Sequence, residues 1–211
     1  MIGLVVNKDI HLYFPTCVMQ RRVDNAEALN AALAPYCRAQ LQASTGVRKS
    51  NYGGWQSEPT LFTSADPAVA ILRETVLRAV TDLSATIFGV PPHAMRVGDE
   101  LVGWINVNEA GDYNTMHVHL PSTWSGVYYV ETGAAPEATR PHSGQLELLD
   151  PRGPGIDGPG ATLGHQSRIV IAPEPGLLVI FPGYLTHFVH PYAGATPRIS
   201  IAFNTRVQRR D

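Results

Sequence analysis

The sequence predicts a mainly β protein, an antiparallel sandwich or barrel of the jelly-roll kind braced by helices from its N-terminal half. Three observations lead there. From Met95 onward, short runs of β-branched and aromatic residues are separated by Gly, Pro and Asp, and none is followed by a long helix. Ahead of them lies one long amphipathic stretch, from about Asp66 to Phe88, able to cover a sheet. The length of 211 residues, with 44% hydrophobic and 16% charged residues, suits a single folded domain over residues 1–211. In that reading residues 1–94 are helical and irregular support, and residues 95–211 are the jelly-roll core.

In chain order, Ile10 to Phe14 reads as a short strand ended by Pro15. Asp24 is placed to cap a helix over Ala26 to Ala34, which Pro35 should break or kink before Cys37 to Gln42. Val47 to Pro59, rich in Gly, Asn and Ser, reads as a loop. The long helix has Asp66 as N-cap, Pro67 in its first turn and Gly89 at its exit. Its Val69, Leu72, Val76, Val80, Leu83 and Ile87 form one apolar stripe, which core packing explains without a cofactor.

Strands follow at Leu101 to Asn108, Met116 to His119, Gly126 to Glu131, Gln145 to Leu149, Arg168 to Ile171, Leu177 to Phe181, Thr186 to Val189 and Arg198 to Thr205. Pro151 to Gly164, punctuated by Gly and Pro, is a long loop, either a lid or plain surface. The sequence contains no internal repeat.

Sixteen Lys and Arg against 18 Asp and Glu leave a formal net charge of −2, which argues against nucleic acid or acidic lipid as partner and favours small molecules. The apolar opening Met1 to Val6 is cut short by Asn7-Lys8-Asp9, too brief for a signal-peptide core or a membrane span, so a cytoplasmic protein is expected. Cys17 and Cys37 are too few for a disulfide scaffold or a four-ligand zinc site, and read as reduced thiols.

The chemistry gathers around histidines. Side chains two apart on a strand face the same way, so His117 and His119 can reach one ion. About seventy residues on, His187 follows an apolar strand and a Pro182-Gly183 turn. The second and seventh strands of a jelly roll lie close together, so the three rings can converge. Such a set leaves open metal positions, as dioxygen activation requires. His190, three residues past His187, points the other way on an extended strand, and His187 is preferred.

Arg198 begins a strand on which Arg198, Ser200, Ala202 and Asn204 share one face. A buried guanidinium is satisfied by a carboxylate held in two-pronged fashion, and the distal carboxylate of 2-oxoglutarate, helped by Ser200, fits that need. An edge-strand Arg in water is the plain alternative.

Phe14-Pro-Thr, Ser50 to Ser57, Trp104 to Asn108, His117 to Tyr129, Asp150-Pro-Arg152 and Pro182 to Asn204 together resemble a bacterial family of 2-oxoglutarate/iron(II)-dependent oxygenases. The resemblance spans nearly the whole chain. It implies a double-stranded β-helix, an iron(II) held by a His-x-Asp/Glu…His triad, and dioxygen and 2-oxoglutarate as co-substrates. It makes His117 the first ligand, His187 the last, and Arg198 with Ser200 the co-substrate clamp. The middle position departs from the pattern, since His119 stands where a carboxylate is usual; Glu147 or Asp150 are the candidates to replace it.

Asn106 and Tyr128 are expected to line the co-substrate pocket, and Trp55, Tyr113, Asn114, Trp124 and Arg152 to shape substrate access. The expected reaction is hydroxylation of a small organic or amino-acid-like substrate, releasing succinate and carbon dioxide. Two rivals stand beside it. A cupin-type dioxygenase shares the spacing from Gly111 to His119 and from Pro182 to His187, but expects a Glu where Thr123 and Trp124 stand. A non-catalytic metal-binding jelly roll needs only the histidines. A homodimer is compatible with either.

Overall fold

A computed structural model describes residues 4–7, 10–12, 15–97, 100–133, 138–152 and 167–210. The expected lid, Pro151 to Gly164, falls mostly outside them, as does Phe14. The strands are β1 (Leu4–Asn7), β2 (Ile10–Leu12), β3 (Met19–Arg22), β4 (Asn51–Tyr52), β5 (Trp55–Gln56), β6 (Met95–Val97), β7 (Val102–Asn108), β8 (Tyr113–His117), β9 (Trp124–Glu131), β10 (Leu146–Leu149), β11 (Arg168–Ile171), β12 (Leu177–Pro182), β13 (His187–Val189), β14 (Arg198–Thr205) and β15 (Val207–Arg209). The helices are α1 (Ala26–Ala43) and α2 (Pro67–Phe88).

Two antiparallel sheets face each other. One has the order β3-β12-β9-β14-β7-β5, the other β11-β10-β13-β8-β4. Strands β7 to β14 thus alternate between the sheets, except that β10 and β11 pair with each other in the smaller one, as in a double-stranded β-helix, and the expected strands are matched to within a few residues at their ends. Adjacency of the second and seventh of these, β8 and β13, is what brings distant histidines together.

Period-two alternation sorts the larger sheet into two faces. Ile105, Val107, Tyr128, Val130, Ile199, Ile201 and Phe203 join the main core cluster under the helices. The opposite face of the same strands carries Trp104, Asn106, Tyr129, Arg198 and Ser200, which line a polar cavity between the sheets. A smaller apolar cluster, including Leu148, Val179, Phe181 and Leu185, fills the rest of the sandwich.

The helix α2 is built as its sequence predicts. Asp66 Oδ1 accepts from the N–H groups of Ala68 and Val69, at 2.8 and 3.2 Å, and Gly89 closes the helix at φ 62°. Val69, Leu72, Val76 and Val80 are fully buried against the sheet, each contributing about 1.5–3 kcal/mol.

Three expectations for the first half are corrected. Helix α1 runs without a break through Pro35, because buried Leu29, Leu33 and Cys37 pack on both sides of it and offset the lost hydrogen bond. Its N-cap is Asn25, in the left-handed region at φ 54°, rather than Asp24. The supposed loop from Val47 to Pro59 supplies edge strands to both sheets, with Asn51 opposite Asn114 and Trp55 opposite Val107. Strand β3, on the far edge of the larger sheet, has no expected counterpart; two- to four-residue edge strands are created by pairing and leave little periodicity to read. Both cysteines are free thiols; burial chiefly pushes Cys37 up to about 12. No described helix is long and apolar enough to cross a membrane.

Candidate active site

His117 ends β8 directly across from His187 on β13, and their ring centroids are 4.2 Å apart. His119 lies beyond the end of the strand, contrary to the expectation that one strand carries both. Its N–H donates to the Gly183 carbonyl at 2.8 Å, and its own carbonyl accepts from the Ser122 N–H at 2.9 Å. These bonds turn the chain so that the His119 ring still sits 4.7 Å from His117 and 5.0 Å from His187. One ligand nitrogen from each ring lies within 4.8 Å of the others, a spread that bonds of about 2.0–2.1 Å to one ion would draw together.

Gly183 makes that turn feasible. A Cβ there would stand 2.3 Å from the Ser122 carbonyl oxygen and 3.0 Å from that of His119.

Two of the rings are set for ligation by the backbone. Nδ1 of His117 meets the Thr115 carbonyl at 2.7 Å, and Nδ1 of His187 meets the Leu185 carbonyl at 2.9 Å. A carbonyl only accepts, so each Nδ1 carries the proton and each Nε2 offers its lone pair to the cavity. Burial, opposed at His117 by that backbone bond, lowers the His117 pKa. Burial and the neighbouring His117 bring His119 to about 4 and His187 to about 3, so no proton competes with a metal there near neutral pH.

At the other end lies Arg198, 2% exposed. Its Nη1 donates to Asn108 Oδ1 and to Ser200 Oγ, both at 3.3 Å, and its guanidinium carbon lies 5.2 Å from the centre of the Tyr129 ring. Burial pulls its pKa below the ordinary arginine value, with Tyr129 opposing. Among the described residues no carboxylate pairs with it, and no Asp or Glu lines the cavity. Arg198 Nε, the Tyr129 hydroxyl and Asn106 Oδ1 are buried there without a hydrogen-bond partner. A buried cation with unsatisfied polar neighbours fits an anionic ligand, and three neutral imidazoles fit a divalent metal.

The other candidates sort by the same geometry. Asn106 and Ser200 line the cavity as expected, whereas Tyr128 does not. One position of alternation turns it to the helix side, where its hydroxyl donates to Asn30 Oδ1 at 2.7 Å and burial raises its pKa to about 12. Its neighbour Tyr129 takes the cavity place. Trp124 likewise faces the helices, donating to Ser84 Oγ at 2.9 Å, so it does not shape access.

Glu147 is held outside the cavity by His190 at 2.8 Å and Arg168 at 3.6 Å, and Asp150 by Arg152 at 2.6 Å, so neither replaces His119. Asn114 lines the cavity. Tyr113 stacks on exposed Tyr52 at 4.8 Å between ring centroids. Trp55 donates to the Ser44 carbonyl, away from the histidines. Sequence reasoning missed Tyr129 and Asn108; the row of alternate residues shared with Asn106 and Arg198 was the available clue. A larger groove, about 910 Å³, lies by the N-terminus of α1 and holds none of these histidines.

A jelly roll with three convergent imidazoles and a buried cation across one cavity defines a candidate metal site with room for an anionic ligand beside it. Residues 103–204 match the family model described as "Putative 2OG-Fe(II) oxygenase". That segment, just under half of the chain, includes all three histidines and Arg198 and is similar to the 2-oxoglutarate/iron(II) oxygenases which that family model describes. The protein is a 2-oxoglutarate-dependent oxygenase. No curated protein matches the sequence.

Solved structures share the fold. A Pseudomonas putida prolyl-4-hydroxylase aligns with TM-score 0.57 at 20% identity, covering 92% of each chain. The non-heme alpha ketoglutarate dependent epimerase SnoN from nogalamycin biosynthesis aligns with TM-score 0.61 at 13% identity, covering 92% of this chain and 79% of its own. A Trichoplax adhaerens prolyl hydroxylase, in complex with a hypoxia inducible factor peptide fragment, aligns with TM-score 0.60 at 13% identity, covering 90% and 83%.

Proposed function

We propose that the protein hydroxylates a small organic or amino-acid-like substrate at an iron(II) held by His117, His119 and His187, with 2-oxoglutarate anchored by Arg198. The observation that carries this reading is Arg198 itself: a fully buried guanidinium, with no acid among the described residues to neutralise it, across the cavity from three neutral imidazoles. A dicarboxylate ligand supplies the missing anion at one end and a metal-chelating keto acid at the other.

When bound, iron(II) and the keto acid supply the oxidising power, the keto acid leaving as succinate and carbon dioxide. The chain's own residues bind and orient. Arg198 fixes the distal carboxylate, with Ser200 Oγ and the Tyr129 hydroxyl as further hydrogen-bonding groups. Thr115 and Leu185 hold the tautomers of His117 and His187 through their carbonyls. Leu146, Phe181 and Val189 give the cavity apolar walls that exclude water.

Exposed Met116, Val118 and Leu120, interleaved with the two metal-binding positions, suit a substrate with an apolar surface. The helices of the first half brace this core, and we take the chain as one domain working in the cytoplasm.

Succinate formation and oxygen uptake, measured with and without iron(II) and 2-oxoglutarate across a panel of amino acids, peptides and apolar carboxylic acids, test the proposal. Turnover should need both additions. Oxygen uptake with metal but no keto acid would instead support the keto-acid-independent three-histidine dioxygenase.

A further inference from the structure

His117 and His187 have their Nδ1 protons fixed by backbone carbonyls, which can only accept. His119 has a different partner. Its Nδ1 faces the side-chain amide of Asn204, whose nitrogen lies 3.2 Å away, while Asn204 Oδ1 is buried with no partner. Both residues are on firm supports. Asn204 sits on β14 between β7 and β9, opposite Val102 and Ser125, and His119 is tied to Gly183 and Ser122.

The two ends of an Asn amide are nearly the same size, so exchanging them costs little packing, yet the two orientations have opposite consequences. With the NH₂ toward Nδ1, the neutral ring carries its proton on Nε2 and has no lone pair for a metal there. With Oδ1 toward the ring, Nδ1 carries the proton and Nε2 is free. A metal on Nε2 therefore requires an acceptor at Nδ1, because Nδ1–H against NH₂ sets two donors face to face.

Resting on the metal reading given above, we propose that Asn204 is the positioning residue for His119. Its amide presents Oδ1 to the Nδ1–H whenever Nε2 holds the ion, and it thereby completes the three-histidine set at the position where a carboxylate would need no such help. Asn204 follows Arg198, Ser200 and Ala202 on one face of β14, so one strand orients both the co-substrate anchor and His119.

The experiment compares zinc(II) and cobalt(II) affinity in Asn204→Leu, Asn204→Asp and the unaltered protein, with circular dichroism of the metal-free forms as the folding control. The Leu variant should bind about 10- to 100-fold more weakly. The Asp variant, which keeps an acceptor, should bind at least as tightly as the unaltered protein. In zinc-loaded protein labelled with ¹⁵N-histidine, His119 should carry its proton on Nδ1. Equal affinity of the Leu variant, or an Nε2-protonated His119 in the zinc form, would overturn the proposal. Failure of the unaltered protein to bind either metal would overturn the metal reading itself, and this inference with it.

Discussion

Replacing Arg198 by Met separates a binding role from a structural one, because the two predict effects of opposite kind. The guanidinium is 2% exposed and its Nη1 bonds are long, both 3.3 Å, to neutral Asn108 and Ser200. Its Nε makes no well-formed hydrogen bond, and its further support comes from the neighbouring neutral Tyr129 hydroxyl. A buried charge so weakly compensated costs folding free energy, so the metal-free Arg198→Met protein should be at least as stable as the original in urea.

For the ligand the sign reverses. Removing one partner of a buried charge pair costs about 2–5 kcal/mol, which is about 30- to 5,000-fold in the dissociation constant for 2-oxoglutarate. Arg198→Lys keeps the charge without the two-pronged fork and should fall between. The assay is anaerobic titration of the iron(II) protein with 2-oxoglutarate, followed by the weak visible absorption of a metal-chelated keto acid. An Arg198→Met variant that loses several kcal/mol of stability while binding 2-oxoglutarate as before would refute the reasoning.

Three further outcomes are expected. Tyr129→Phe should weaken 2-oxoglutarate binding by about 1 kcal/mol or more with little change in stability, whereas Tyr128→Phe should leave binding alone and destabilise by about 1–3 kcal/mol, since it strands Asn30; both are read from the same titration and urea curves. Gly183→Ala drives a Cβ toward the Ser122 and His119 carbonyls, so metal affinity should drop through displacement of His119; isothermal titration with zinc(II) checks it.

Stability should fall on the alkaline side. The Cys37 thiol, pushed from 9.0 up to about 12 chiefly by burial, ionises first in the unfolded chain, so its contribution is complete below pH 9 and is lost as pH rises toward 12. Between pH 8 and pH 10.5 that amounts to about 2 kcal/mol, and Cys37→Ala should flatten the fall in urea unfolding.

Local patterns legible along the chain were those whose cause is local. The α2 helix carries its own cap, stripe and terminating glycine, and β14 carries a strict alternation, so its Arg198 row and its Ile199 row separate correctly in the folded protein. The pairing of His117 with His187 was legible for another reason: the jelly-roll order, once inferred from the run of short strands, makes the second and seventh strands neighbours.

What tertiary structure decided is what depends on contacts between distant segments. Asn51–Tyr52 and Trp55–Gln56 are strands only because sheet edges are there to pair with them. Helix α1 passes through Pro35 because a sheet and a second helix bury its face. Tyr128 and Tyr129 are identical in kind and adjacent in sequence, and only the register of β9 against β14 and β12 gives one to the helices and the other to the cavity. The sequence by itself determined which imidazoles are candidates and their strand periods; the folded chain determined how the rings are turned, because that rests on the bonds of the His119 N–H to the Gly183 carbonyl and of His187 Nδ1 to the Leu185 carbonyl and on the Asn204 amide beside His119 Nδ1, which periodicity does not encode.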